Sequence, residues 1–106
     1  MNGTHVSVDL THMRASARTV TALLRALANE DRLLLLCQMT GGERSVGELE
    51  AQLDIRQPTL SQQLGVLRTE GLVTTRREGR RIFYAVADPK VLALLNALYS
   101  LYCKAE

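Results

Sequence analysis

The sequence has no apolar run approaching the ~20 residues that a membrane span requires, and its opening, MNGTHVSVDLTHM, lacks the basic-then-apolar layout of a secretory signal. The expected location is therefore the cytoplasm, with no membrane partner. Only two cysteines occur, Cys37 and Cys103, too few for a small disulfide scaffold and in the wrong compartment for one. Both histidines, His5 and His12, fall in the polar opening stretch and none follows. No Ser-His-Asp set, phosphate loop, zinc-protease motif or cleft of paired carboxylates can be assembled. The cysteines also lack the Cys-x-x-Cys spacing of a thiol oxidoreductase. The reading is of a protein that is not an enzyme, with no catalytic residue, no cofactor and no resident metal.

What is present suits one globular domain. The 106 residues are 46% hydrophobic and 23% charged, without repeats or low-complexity segments. The net charge of +2 is unevenly spread. Between Arg56 and Arg81 lie six basic residues (Arg56, Arg68, Arg76, Arg77, Arg80 and Arg81) against Glu70 and Glu78, while the remainder is net negative. Positive charge gathered on one stretch suits a polyanion, although a solvated face would carry the same charges.

Residues 1–12 are polar and aperiodic, expected as a flexible tail, and 13–106 as a single domain. A first helix is expected from Met13 to Ala28, with Met13, Ala17, Val20, Leu24 and Leu27 in one apolar stripe. Asn29 caps a second helix, whose LLLLC run (33–37) reads as buried on every side, Cys37 included. Gly41-Gly42 ends it. Ser45 with Glu48 forms a capping box for a third helix over 45–54. Pro58 opens a fourth, with Leu60, Leu64 and Leu67 inward and Gly71 as its stop.

The period then changes. Residues 72–77 and 81–87 read as the strands of a β-hairpin turning at Glu78-Gly79-Arg80. Asp88 and Pro89 start a last helix reaching Lys104, apolar on one side through Val91, Leu94, Leu95, Leu98, Leu101 and Tyr102. That surface exceeds what one small core absorbs, so a second copy of the chain is its expected cover. The fold class is mainly α with a β-hairpin wing, a winged helix-turn-helix of five helices, the first and last forming the dimer interface.

In that order the fourth helix is the recognition helix. With Leu60 inward, Gln62 points outward beside Pro58, Thr59 and Ser61. Gln57, Thr59, Ser61, Gln62 and Gln63 are short polar groups suited to bases and phosphates, and Arg68 to phosphate. Gly65 also faces outward, where helix propensity disfavours it by about 1 kcal/mol. Close approach to a phosphate strand would explain it. Taken singly, these glutamines would pass as ordinary surface. The hairpin tip is sharper: Arg76, Arg77, Arg80 and Arg81 crowd four like charges around Gly79, which a merely solvated loop does not need. A purely partner-binding helical dimer would explain the apolar last helix but not these arginines. Double-stranded operator DNA is the expected partner.

Five segments carry a family resemblance: ALANEDRLLLLC (26–37), SVGELEAQL (45–53), QPTLSQQLGVLRTEGLV (57–73), RREGRRIFYAV (76–86) and NALYSLYC (96–103). Over about four-fifths of its length the chain resembles the ArsR/SmtB winged-helix repressors of bacteria. That family's usual metal motifs are missing. Residues 45–53 hold no cysteine, and Lys90 stands where a last-helix histidine would pair with Asp88. The spacing is similar instead to the persulfide- and redox-sensing dithiol subgroup, which carries one cysteine in the second helix and one near the end of the last. The resemblance implies that Cys37 and Cys103 are a sensing pair, bridged by reactive sulfur species through a disulfide or longer polysulfide. It further implies that the reduced dimer holds its operator and the cross-linked dimer releases it. Cys103, beside Lys104, is the expected first nucleophile and Cys37 the resolving thiol. A soft thiophilic metal or metalloid, or a general oxidant, acting through the same cysteines is the alternative.

Overall fold

The computed structural model describes residues 7–103. Eight elements follow in order: α1 (Leu10–Leu27), α2 (Glu30–Gln38), β1 (Arg44–Ser45), α3 (Val46–Leu53), α4 (Thr59–Thr69), β2 (Val73–Glu78), β3 (Arg81–Val86) and α5 (Pro89–Tyr102). Five helices and an antiparallel hairpin wing make up the expected winged helix-turn-helix.

Local chemistry sets the boundaries. The Asp9 carboxylate accepts from Thr11 N at 2.9 Å, so α1 starts at Leu10 rather than at the expected Met13. The tail expected over 1–12 is thus helical from residue 10, and residues 1–6 lie outside the described residues. Asn29 caps α2 through Arg32 N at 3.0 Å. The Ser45 box is reciprocal, with Ser45 N donating to Glu48 Oε1 at 2.8 Å and Glu48 N donating to Ser45 Oγ at 3.2 Å. Gly71, at φ +74°, ends α4 as expected, since an L side chain would be strained in that left-handed turn. Gly79, at φ +62°, leads the tight turn between β2 and β3.

The core gathers Leu35, Leu36, Met39, Leu49, Leu60, Leu64, Leu67 and Leu95 around α2 and α4. Burying each leucine contributes roughly 2 kcal/mol, so Leu60, Leu64 and Leu67 seat α4 firmly from one side only. Helix α2 is not buried all round. Leu35 and Leu36 are fully enclosed, but Leu34 is exposed and so is Cys37, against expectation. A helix packed on three neighbours (α1, α3 and α4) still leaves a fourth side open. The inner face of α1 is likewise Leu23, Ala26 and Leu27, so Met13 and Leu24 of the expected stripe stand exposed.

One element has no sequence precedent. The two-residue β1 pairs antiparallel with β3, matching Arg44 to Tyr84 and Ser45 to Phe83, and makes a sheet of order β1-β3-β2. Two residues are too short a stretch to show alternation, and tertiary pairing alone creates the strand.

Candidate nucleic-acid interface and thiol pair

The start of α3, one flank of α4 and the wing line a groove of about 790 Å³. Ser61, Gly65 and Arg68 line it from α4, and Arg80 and Arg81 from the wing. Gln57, Thr59 and Gln62 lie exposed at the open end of α4. Pro58 offers no side-chain cap, so Gln57 supplies one. Its Oε1 accepts from Ser61 N at 3.2 Å and from Ser61 Oγ at 2.5 Å. Nothing lies within 4 Å of where a Cβ on Gly65 would be, so no internal contact demands that glycine.

Gln57, Thr59, Gln62, Gln63, Arg76 and Arg77 do not line this groove, and Gln63 and Arg76 are bonded within the fold. Gln63 is half-buried and accepts a hydrogen bond from Arg32 Nη1 at 2.8 Å. Arg76 is engaged within the fold. Its Nε donates to Glu43 Oε1 at 3.1 Å, its Nη2 pairs with the same carboxylate, and its Nη1 lies 3.3 Å from Glu78 Oε1. The hydrogen bond from Arg76 holds the Glu43 carboxyl below the usual carboxylate range, and the same pairing raises Arg76 further. Arg81 donates to Ser45 Oγ at 3.2 Å. Arg77 and Arg80 make no ion pair or side-chain hydrogen bond among the described residues. Of the four wing arginines, Arg76 and Arg81 carry bonds within the fold, Arg81 while still lining the groove, and Arg77 and Arg80 carry none among the described residues.

Sequence reading missed Glu43, Ser45 and Phe83 as the braces. The signal was a charge of opposite sign before the capping box and a single phenylalanine two residues after the wing arginines. Neither is informative until β1 pairs with β3.

Fold, groove and projecting arginines suit a helix placed in a major groove with a wing alongside. The sequence signature of the family described as bacterial regulatory protein, arsR family, matches residues 29–75. The chain is 54% identical to the biofilm growth-associated repressor of Agrobacterium fabrum over 99 residues, covering 93% of this chain and 85% of that protein. It belongs to the arsR family of bacterial regulatory proteins. The crystal structure of the transcriptional repressor BigR from Xylella fastidiosa superposes with a TM-score of 0.88 at 48% identity, covering 92% of this chain and 100% of that one. The transcriptional activator HlyU of Vibrio cholerae is 42% identical over 93% of this chain and 92% of its own length. The structure of reduced HlyU superposes with a TM-score of 0.83 over 88% of this chain and 98% of that one. As an arsR-family member the chain is a DNA-binding transcriptional regulator and not an enzyme. Among the described residues no helix is long and apolar enough to cross a membrane.

The two thiols are free and lie on facing elements of this arsR-family fold. Cys37 lines a cavity of about 350 Å³ whose other walls include Leu34 and Leu53 and, from α5, Leu95, Asn96 and Tyr99. Cys103 follows Tyr99 by one turn, its N–H bonded to Tyr99 O at 2.8 Å. Burial first, and the negative charge of a Cys103 thiolate second, push the Cys37 thiol above its ordinary range. The cavity wall explains how a residue that is exposed overall is still partly desolvated at its sulfur. Lys104, expected to favour the Cys103 thiolate, lies outside the described residues.

Proposed function

We propose that the chain is a homodimeric repressor that releases operator DNA when reactive sulfur species cross-link Cys37 to Cys103. The carrying observation is that Cys37 of α2 faces a cavity walled by Leu95, Asn96 and Tyr99 of α5, and that Cys103 stands one turn beyond that Tyr99. Gln57, Thr59, Ser61 and Gln62 read bases or phosphates in the major groove, Arg68 touches phosphate, and Arg77, Arg80 and Arg81 make the wing contact. Repression follows the Agrobacterium relative, described as a repressor.

The chemistry is a two-step thiol exchange. A cysteine thiolate attacks the outer sulfur of an organic persulfide, R–S–SH, forming a cysteine persulfide and releasing RSH. The other thiolate then attacks the cysteine's own sulfur. A Cys37–Cys103 disulfide forms and hydrogen sulfide leaves. The two cysteines together lose two electrons, and the transferred sulfur gains them. A bridge that retains the transferred sulfur consumes a second persulfide as oxidant. The raised Cys37 thiol makes Cys103 the first attacker and Cys37 the resolving group.

The dimer supplies the lever. α1 exposes Leu10, Met13 and Leu24, and α5 exposes Tyr99, Leu101 and Tyr102. A second copy covering both faces would set the two recognition helices about 34–36 Å apart. Tying α2 to α5 beside that interface alters their spacing and weakens DNA binding.

Intact-mass analysis with chelator present tests the chemistry. A persulfide donor should give a disulfide, or additions of about 32 Da per retained sulfur. Cys37→Ser and Cys103→Ser should bind DNA and ignore the donor. A response surviving in Cys103→Ser would overturn the pairing, and a mass adduct of a soft metal ion without sulfur would replace persulfide with that ion.

A further inference from the structure

We propose that Arg32 is a positioning residue for the recognition helix, acting through Gln63. Arg32 occupies the third position of α2, where its own N–H is held by the Asn29 cap at 3.0 Å. From there the side chain runs back over the sharp α1–α2 corner. Its Nε donates to Ala26 O at 2.6 Å and its Nη2 to Arg25 O at 3.2 Å. These are carbonyls of the last turn of α1, at the negative end of its dipole, and Arg25 O also accepts from the Ala28 cap N–H at 3.2 Å. The remaining Nη1 donates to Gln63 Oε1 at 2.8 Å. One planar guanidinium therefore fastens three helices.

The consequence for α4 is specific. Leucine packing at Leu60, Leu64 and Leu67 fixes which side of α4 faces the core, but apolar contact is non-directional and resists rotation poorly. Gln63 stands beside that apolar stripe, so a directional bond from Arg32 sets the roll of α4 and with it the aim of Thr59 and Gln62. Arg32 also shares α2 with Cys37, about 7.5 Å further along the axis of a short, rigid rod. Tilting the Cys37 end swings the Arg32 end, and the Gln63 bond delivers that motion to α4. This second consequence rests on the thiol-switch reading. The first rests only on the bonds described.

Two arms test it on the full-length protein. In the reduced, DNA-free state, amide exchange across α4 should run several-fold faster in Gln63→Met, with Gln63→Glu restoring protection. A merely surface Gln63 would leave exchange unchanged in both, and that result overturns the proposal. In the second arm each protein is treated with a persulfide donor, cross-linking is verified by mass, and binding to a duplex from upstream of its own gene is measured. Wild type and Gln63→Glu should lose on the order of tenfold in affinity and Gln63→Met far less. Full loss in cross-linked Gln63→Met overturns the coupling. If wild type itself ignores the donor, the thiol-switch reading fails, and the exchange arm still decides whether Arg32 positions α4.

Discussion

The guanidinium carbon of Arg76 sits 4.6 Å from the centroid of the Phe83 ring, directly opposite it in the β2–β3 ladder. Arg81 uses the same ring at 4.8 Å. One phenylalanine thus supports two guanidiniums, one held by Glu43 and the other by Ser45. The base of the wing is thereby fixed against β1 and the start of α3, while Arg77 and Arg80 are left to project.

That division predicts unequal salt effects. Arg77→Ala and Arg80→Ala should each reduce the slope of log affinity against log salt by about one. Arg76→Ala should change that slope less and instead lower the melting temperature. Equal slope changes in all three variants, read by anisotropy over a salt series, would place Arg76 on the phosphates as well.

The Glu43–Arg76 pair also carries a pH signature. Arg76 depresses the Glu43 carboxyl, so the pair's contribution is fully present above the ordinary glutamate value of about 4.3. It is lost as pH falls through the lower folded-state value. Melting temperatures of wild type and Glu43→Gln should therefore differ near neutrality and converge in acid. A constant gap across the acid range would assign the stabilisation to packing on Phe83 instead.

Gly65 separates stability from function. No atom of the chain crowds its missing Cβ, so Gly65→Ala should stabilise α4 by about 1 kcal/mol through helix propensity. The same methyl would keep a phosphate strand at a distance, and DNA affinity should fall. A variant that is more stable and binds as well as wild type would show that nothing approaches this position.

The exposed ends of α5 and α1 predict how assembly fails. Leu101 is 76% exposed and Tyr102 is 82% exposed in the single chain. Leu101→Glu should shift sedimentation toward monomer and weaken DNA binding in parallel, because one recognition helix loses its paired half-site. An unchanged dimer would move the interface away from this end of α5.

Much of this architecture was legible in the sequence because its signals are local. The Ser45 box, the Asn29 and Asp88 caps, Gly71 and the leucine triplet of α4 each act within a few residues. What stayed hidden depends on partners distant in sequence. Glu43 reaches Arg76 and Arg32 reaches Gln63 across about thirty positions, and no periodicity encodes such pairings. Cys37 illustrates the same limit. The LLLLC run is apolar throughout, yet which side of α2 faces outward is decided by α1, α3 and α4 together.

The most direct measurement is fluorescence anisotropy of the reduced protein on its own upstream duplex, with chelator present, before and after a persulfide donor and again after reductant. The account predicts tight, salt-dependent binding that collapses with the donor and returns on reduction. Binding that ignores the donor while mass spectrometry shows Cys37 and Cys103 cross-linked would contradict it.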